Sequence, residues 1–138
     1  MRSEQIRLVQ NSWKLVEPIA EQAAELFYGE LFRLDPSLES MFTGDMREQG
    51  RKLMAMLSVG VTSLSRLESI APALRALGGR HAGYGVELRH YAVVEAALVS
   101  TLAQGLGEAF TDEVRDAWRA AYRVLSMTMQ QGAAKAAA

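Results

Sequence analysis

The sequence has no cysteine, which excludes disulfides, thiolate nucleophiles and zinc sites built on cysteine. It has only two histidines, His81 and His90. Their spacing is wrong for an H-x-x-x-H metal pair on one helix face, and with no cysteine there is no obvious third ligand. Charge of either sign is not in excess: 15 Lys and Arg balance 16 Asp and Glu for a net charge of -1. The cations are interspersed and form no basic stripe, so nucleic acid is not expected as a partner. No apolar run reaches the length of a membrane span, so no membrane association is expected. The opening MRSEQIRLVQNSWK lacks the apolar core of a signal peptide, and a cytoplasmic location is expected. No G-x-S-x-G elbow is present, and the glycines of LGGRHAGYGV neither follow a strand nor end in Gly-Lys-Ser or Gly-Lys-Thr. Hydrolase and phosphate-loop readings therefore start without a motif.

What is present is a chain of 138 residues, 49% hydrophobic and 22% charged. A chain of this size removes roughly two thirds of its unfolded surface from water, enough for one core. Helical periodicity dominates and no alternating β-branched run stands out, so an all-α fold is expected. Ser3 is placed to cap a first helix with the stripe Ile6, Val9, Trp13 and Val16, interrupted at Pro18. In EQAAELFYGELFRL, the residues Ala23, Phe27, Leu31 and Leu34 share one face, with Tyr28 and Phe32 beside it. Asp35-Pro36 reads as a cap and first helical position of a short turn ending near Phe42.

A polar segment then leads into a long helix expected from about Met46 to Leu64, with Gln49, Leu53, Met56, Gly60 and Ser63 on its inner face. Ile70, Leu74, Leu77 and His81 recur at intervals of four, three and four, which turns His81 inward. A further helix starts near Arg89 with Tyr91, Val94, Leu98 and Leu102 inward, and ends at the glycines of QGLG. Thr111 caps the last helix, whose stripe is Val114, Trp118, Leu125 and Met129. No repeat or linker breaks the chain. One domain of six to eight helices is expected over residues 1–132, with 133–138 as a frayed tail.

An inward histidine on one helix and an inward glutamine near the start of another are what a flat cofactor between two helices would want. On spacing alone, His81 is equally open to reading as a satisfied core histidine. His90 neighbours the inward Tyr91 and is expected to point elsewhere, in an exposed or interhelical polar role.

Several motifs in order, from N-S-W at Trp13 to A-W-x-x-x-Y at Trp118 and Tyr122, resemble the globin family over nearly the whole length. ELFYGELFRLDP is similar to the family's second helix and its proline corner, and ESMF places Phe42 at the position of the haem-stacking phenylalanine. QGRKLMAMLSVGV is similar to the distal helix with Gln49 at the distal position. LGGRHAGYGV is similar to the proximal segment L-G-x-x-H-x-x-x-G-V, which makes His81 the candidate iron ligand.

The resemblance implies a globin fold of six to eight helices enclosing a pocket for non-covalent haem b, with His81 on the iron and the sixth position free for a diatomic gas. Tyr28 and Gln49 match the distal tyrosine and glutamine of bacterial single-domain globins and of flavohaemoglobin haem domains. Such donors aimed at dioxygen imply tight, slowly released gas, with less gain for carbon monoxide. Phe42, Leu53 and Val86 are expected to wall the porphyrin and Lys52 to reach a propionate. Tyr91 falls where the flavohaemoglobins place a tyrosine near the proximal histidine, while Ala133 stands where they carry the glutamate that pairs with it. Of the seven methionines, Met54, Met56, Met127 and Met129 read as soft core filler.

The implied activity is reversible dioxygen binding, extending to oxygen transport or to dioxygenation of nitric oxide, a detoxification that needs an external electron donor. The rival expectations are a gas or redox sensor working through a partner and a haem-free helical regulatory module.

Overall fold

The computed structural model describes residues 1–137. Among them are six α-helices joined by short 3₁₀ turns and no strand, as the periodicity predicts. Helix α1 covers Ser3–Val16, α2 Ala20–Leu34, α3 Met46–Thr62, α4 Ala71–Gly83, α5 Leu88–Leu106 and α6 Asp112–Ala137.

Local chemistry sets most boundaries where the sequence places them. Pro18 sits in a 3₁₀ turn between α1 and α2. The Asp35 carboxylate accepts from the backbone N–H of Ser37 at 3.1 Å and opens the turn Pro36–Met41. Thr111 Oγ1 accepts from Val114 N–H at 3.2 Å to cap α6, and α5 ends at Gly107, whose φ of +56° suits glycine. Three differences stand out. Ser3 is the first residue of α1 rather than its cap, and the Gln5 side chain instead accepts from the Arg2 N–H at 2.9 Å. Helix α3 stops at Thr62 and a 3₁₀ turn, Leu64–Ser69, takes over. Helix α6 runs through the segment expected as a tail as far as Ala137; residue 138 lies outside the described residues.

The core gathers α1, α2, α5 and α6: Val9, Trp13, Phe27, Leu31, Ala97, Leu98, Leu102 and Trp118 are all buried. The motif residues at the two ends of the chain meet in it. The Trp118 indole N–H donates to Ser12 Oγ at 2.8 Å, and the Trp13 and Trp118 rings lie 6.0 Å apart. Tyr122 Oη donates to the Tyr91 carbonyl at 2.6 Å, tying α6 to α5. Where α2 crosses α3, Gly50 faces Ala24, and a Cβ on Gly50 would lie 2.9 Å from that of Ala24. The small pair lets the two helices approach closely.

Helices α3 and α4 are the exception to this packing. Extensive contacts join α4 to α6 and α3 to α2, whereas α3 and α4 are not packed on one another. Parts of the stripes they carry stay only half-buried, Leu53 and Leu57 on α3 and Leu74, Leu77 and His81 on α4, while Val61 near the end of α3 enters the core. The sole fully buried residue of α4 is Gly78. Apolar residues thus stay half-open on two helices that make little contact with one another.

Candidate haem site

His81 lies in the last turn of α4. Its ring Nδ1 is 2.8 Å from the carbonyl oxygen of Leu77, one turn back. A carbonyl only accepts, so Nδ1 carries a proton, and in the neutral ring Nε2 then keeps its lone pair. That is the tautomer a metal-ligating imidazole needs, with the second ring nitrogen already oriented by a hydrogen bond. The His81 carbonyl in turn accepts from the N–H of Tyr84 at 3.1 Å and of Val86 at 3.0 Å. These bonds fold the chain back after α4 and hold Val86, half-buried, next to the histidine's own backbone.

Tyr28 and Gln49 are brought together across the α2–α3 contact. Tyr28 Oη lies 3.5 Å from the backbone carbonyl of Gln49. Good O–H···O bonds are about 2.5 to 3.0 Å long, so this donor is held loosely and remains available. Burial pushes the Tyr28 phenol up to about 12, which keeps it protonated at neutral pH. The ring itself is pinned by aromatics: Phe27 and Phe42 meet it edge-on at 5.2 and 5.3 Å, and Phe32 stacks at 6.0 Å. Phe42 also packs edge-on against Phe32 at 5.4 Å. The Gln49 side chain is half-buried. A cavity of about 610 Å³ flanks Tyr28 between α2 and α3, lined also by Gly29, Phe32, Gly50 and Met54. It includes neither Gln49 nor His81, and the ion pair of Arg47 with Glu21 at 3.0 Å stands at its margin.

Leu53 is half-buried on the α3 face that also carries Gln49, and Lys52 beside it is exposed. Tyr91 is half-buried in the first turn of α5. Its Oη is buried without a hydrogen-bond partner among the described residues, and burial raises this phenol as well. Ala133, half-buried on α6, offers no acceptor. His90 is buried and interhelical. Its Nδ1 accepts from the Glu87 N–H at 2.8 Å, capping α5, while Nε2 faces Asp35 and Glu87 at 4.0 and 3.9 Å. Arg89 bridges the same two carboxylates, Asp35 at 3.3 Å and Glu87 at 2.8 Å. Among the described residues no group of three or more His, Cys, Asp or Glu side chains could hold a bare metal ion.

The family model for globins matches residues 25–129, most of the chain and all of the residues just described from Tyr28 to Tyr122. The chain belongs to the globin family. Among curated relatives, this globin is 28% identical over 142 residues to the neuroglobin of Dissostichus mawsoni, covering 93% of this chain and 89% of that one. It is 25% identical over 129 residues to a flavohemoprotein of Vibrio cholerae, covering 91% of this chain but 33% of that protein. The chain thus spans about a third of the length of that flavohemoprotein. Among solved structures it superimposes on an engineered carbene transferase of Rhodothermus marinus with a TM-score of 0.88 at 24% identity, covering 98% and 94% of the two chains. A bacterial globin of Campylobacter jejuni gives 0.83 at 21% identity, covering 97% of each. These two likenesses establish the globin fold. No described helix is long and apolar enough to cross a membrane.

Sequence patterns alone do not pick out the Leu77 carbonyl as a site group, although its signal is simple: it lies four residues before an inward helical histidine. The loose contact of Tyr28 with the Gln49 backbone has no such signal, since it depends on how α2 and α3 cross.

Proposed function

We propose that this globin, over residues 1–132, binds haem b in the cleft between α3 and α4 through His81 Nε2. The observation that carries the reading is the Nδ1–H of His81 donating to Leu77, which leaves a bare, oriented nitrogen on a half-open apolar face. When bound, haem supplies an iron that takes a diatomic gas and shifts electron density onto it. Phe42, Leu53 and Val86 wall the ring and exclude water, and the exposed Lys52 is free to meet a propionate. The Tyr28 hydroxyl and the Gln49 amide would be the groups to donate to a gas bound there, a charge-assisted contact that would favour dioxygen over carbon monoxide. The Tyr91 hydroxyl has no carboxylate partner to relay to a proximal histidine, so His81 would keep the basicity given by a backbone carbonyl alone.

The activity this supports is tight, reversible dioxygen binding in the cytoplasm, extending to nitric oxide. Nitric oxide and dioxygen give nitrate on uptake of one electron, so turnover draws that electron from an external donor. The test is a visible spectrum of the protein as purified, reduced under nitrogen and then exposed to dioxygen, beside His81→Ala. A Soret band that shifts with dioxygen and collapses or changes in the variant is expected. A protein that stays colourless after haem reconstitution would overturn the proposal and leave a haem-free helical module.

A further inference from the structure

Helix α4 is short, carries glycines at 78, 79 and 83, and would be marginal as an isolated helix. Its extensive packing is with α6 and the turn before it, and it packs on neither α3 nor α5. The contact with α6 is made by backbone. A Cβ built on Gly78 would overlap the carbonyl oxygen of Met129, and one built on Gly132 would overlap that of Arg75. The two contacts are reciprocal: Arg75 and Gly78 are one turn apart on α4, and Met129 and Gly132 are one turn apart on α6. In each, a glycine α-hydrogen points at the partner helix's carbonyl, a Cα–H···O contact that only glycine allows at this separation. Gly83, by contrast, has nothing within 4 Å of its Cβ position.

We infer that Gly78 and Gly132 are positioning residues: α6 holds α4 formed and in register before any cofactor arrives, so that His81 is presented already oriented. The inference rests on the haem reading only for what His81 then does. The clamp itself belongs to the polypeptide. It also replaces what side chains supply elsewhere in the molecule, since no side chain of α4 is fully buried.

Amide hydrogen exchange, followed by mass spectrometry on the full-length chain in haem-free and haem-loaded forms, tests it. In the haem-free protein, segments from 74 to 83 are expected to exchange as slowly as the facing part of α6. Gly78→Ala must push the helices apart and should speed exchange in both by about ten- to a hundredfold, leaving α1 and α2 unchanged. Gly83→Ala, where a methyl meets open space, should not speed exchange in either helix. In the reduced haem-loaded protein, the iron–histidine stretching band should move in Gly78→Ala and not in Gly83→Ala, a signature that a general loss of stability does not produce. Free exchange of 74–83 in the haem-free wild type, or identical behaviour of the two variants, would overturn the clamp. If Gly78→Ala yields no folded protein, the wild-type exchange pattern alone decides. A wild type that takes up no haem would sink the haem reading while the exchange data still judged the clamp.

Discussion

At the scale of single residues, the proposed chemistry is concentrated in two side chains whose local partners define them. His81 is legible in the sequence because it continues an apolar stripe, and its partner Leu77 lies on the same stripe. Tyr28 is legible only by resemblance, since a tyrosine beside a helix's core face is ordinarily packing. The structure holds its ring among three phenylalanines and leaves its proton loosely engaged. Removing the hydroxyl should therefore cost dioxygen binding and little else. Tyr28→Phe is expected to speed dioxygen release by about ten- to 150-fold, the equivalent of about 1.5 to 3 kcal/mol for a charge-assisted hydrogen bond. Stopped-flow displacement of dioxygen measures it, and an unchanged off-rate would remove Tyr28 from the distal site.

The same residue sets a pH profile. Its phenol is raised from 10.0 to about 12 by burial, so it stays a donor throughout the neutral range. Dioxygen release should be independent of pH as far as this group is concerned until the solution is strongly alkaline, and then quicken. The sign for folding follows from linkage: the stability that Tyr28 contributes is fully present below its unfolded pKa and is lost as pH rises through the folded value. Tyr28→Phe should abolish that alkaline loss in denaturant titrations across the same window.

At the scale of elements, the helices follow apolar stripes and caps, and where the stripe fails the sequence misleads. The end of α6 is alanine-rich, without a stripe to mark a face, yet alanine is the best helix former, and Gly132 within it packs on α4. His90 is the other case. Its role depends on Asp35 at the far end of α2, which no spacing rule connects to it. Because the buried His90 accepts from the part-buried Glu87 N–H, His90→Ala removes a cap and leaves that donor without its side-chain partner. A loss of about 1 to 2 kcal/mol in urea unfolding is expected, and a variant as stable as wild type would show that the cap carries no weight. Gly29 lies in the middle of α2 with open space where a Cβ would go. Gly29→Ala should accordingly stabilise the fold by about 0.4 to 1 kcal/mol through the unfolded state, readable as a higher midpoint in the same titration.

At the scale of the whole molecule, four helices close a core with aromatic and indole contacts that join the chain's two ends, while α3 and α4 are not packed on one another. All-α architecture and the order of helices are readable from periodicity; the lack of packing between α3 and α4 is not, because half-buried stripes look the same in sequence as buried ones. On the proposed haem binding, folding and cofactor binding are one linked equilibrium. A group held there binds the folded chain and not the unfolded one, which stabilises the fold by about 2.7 kcal/mol at a hundredfold excess over its dissociation constant. With an unfolding entropy of about 2.1 cal/mol/K per residue, that amounts to a rise of roughly 9 °C in the melting midpoint. Thermal melts followed at 222 nm with and without haem should show a rise of this order in the wild type and much less in His81→Ala, whose haem-free midpoint should stay near the wild-type one because a half-exposed side chain contributes little to the core. Equal midpoints with and without haem in the wild type would mean that the cleft is not where the cofactor's binding energy is realised.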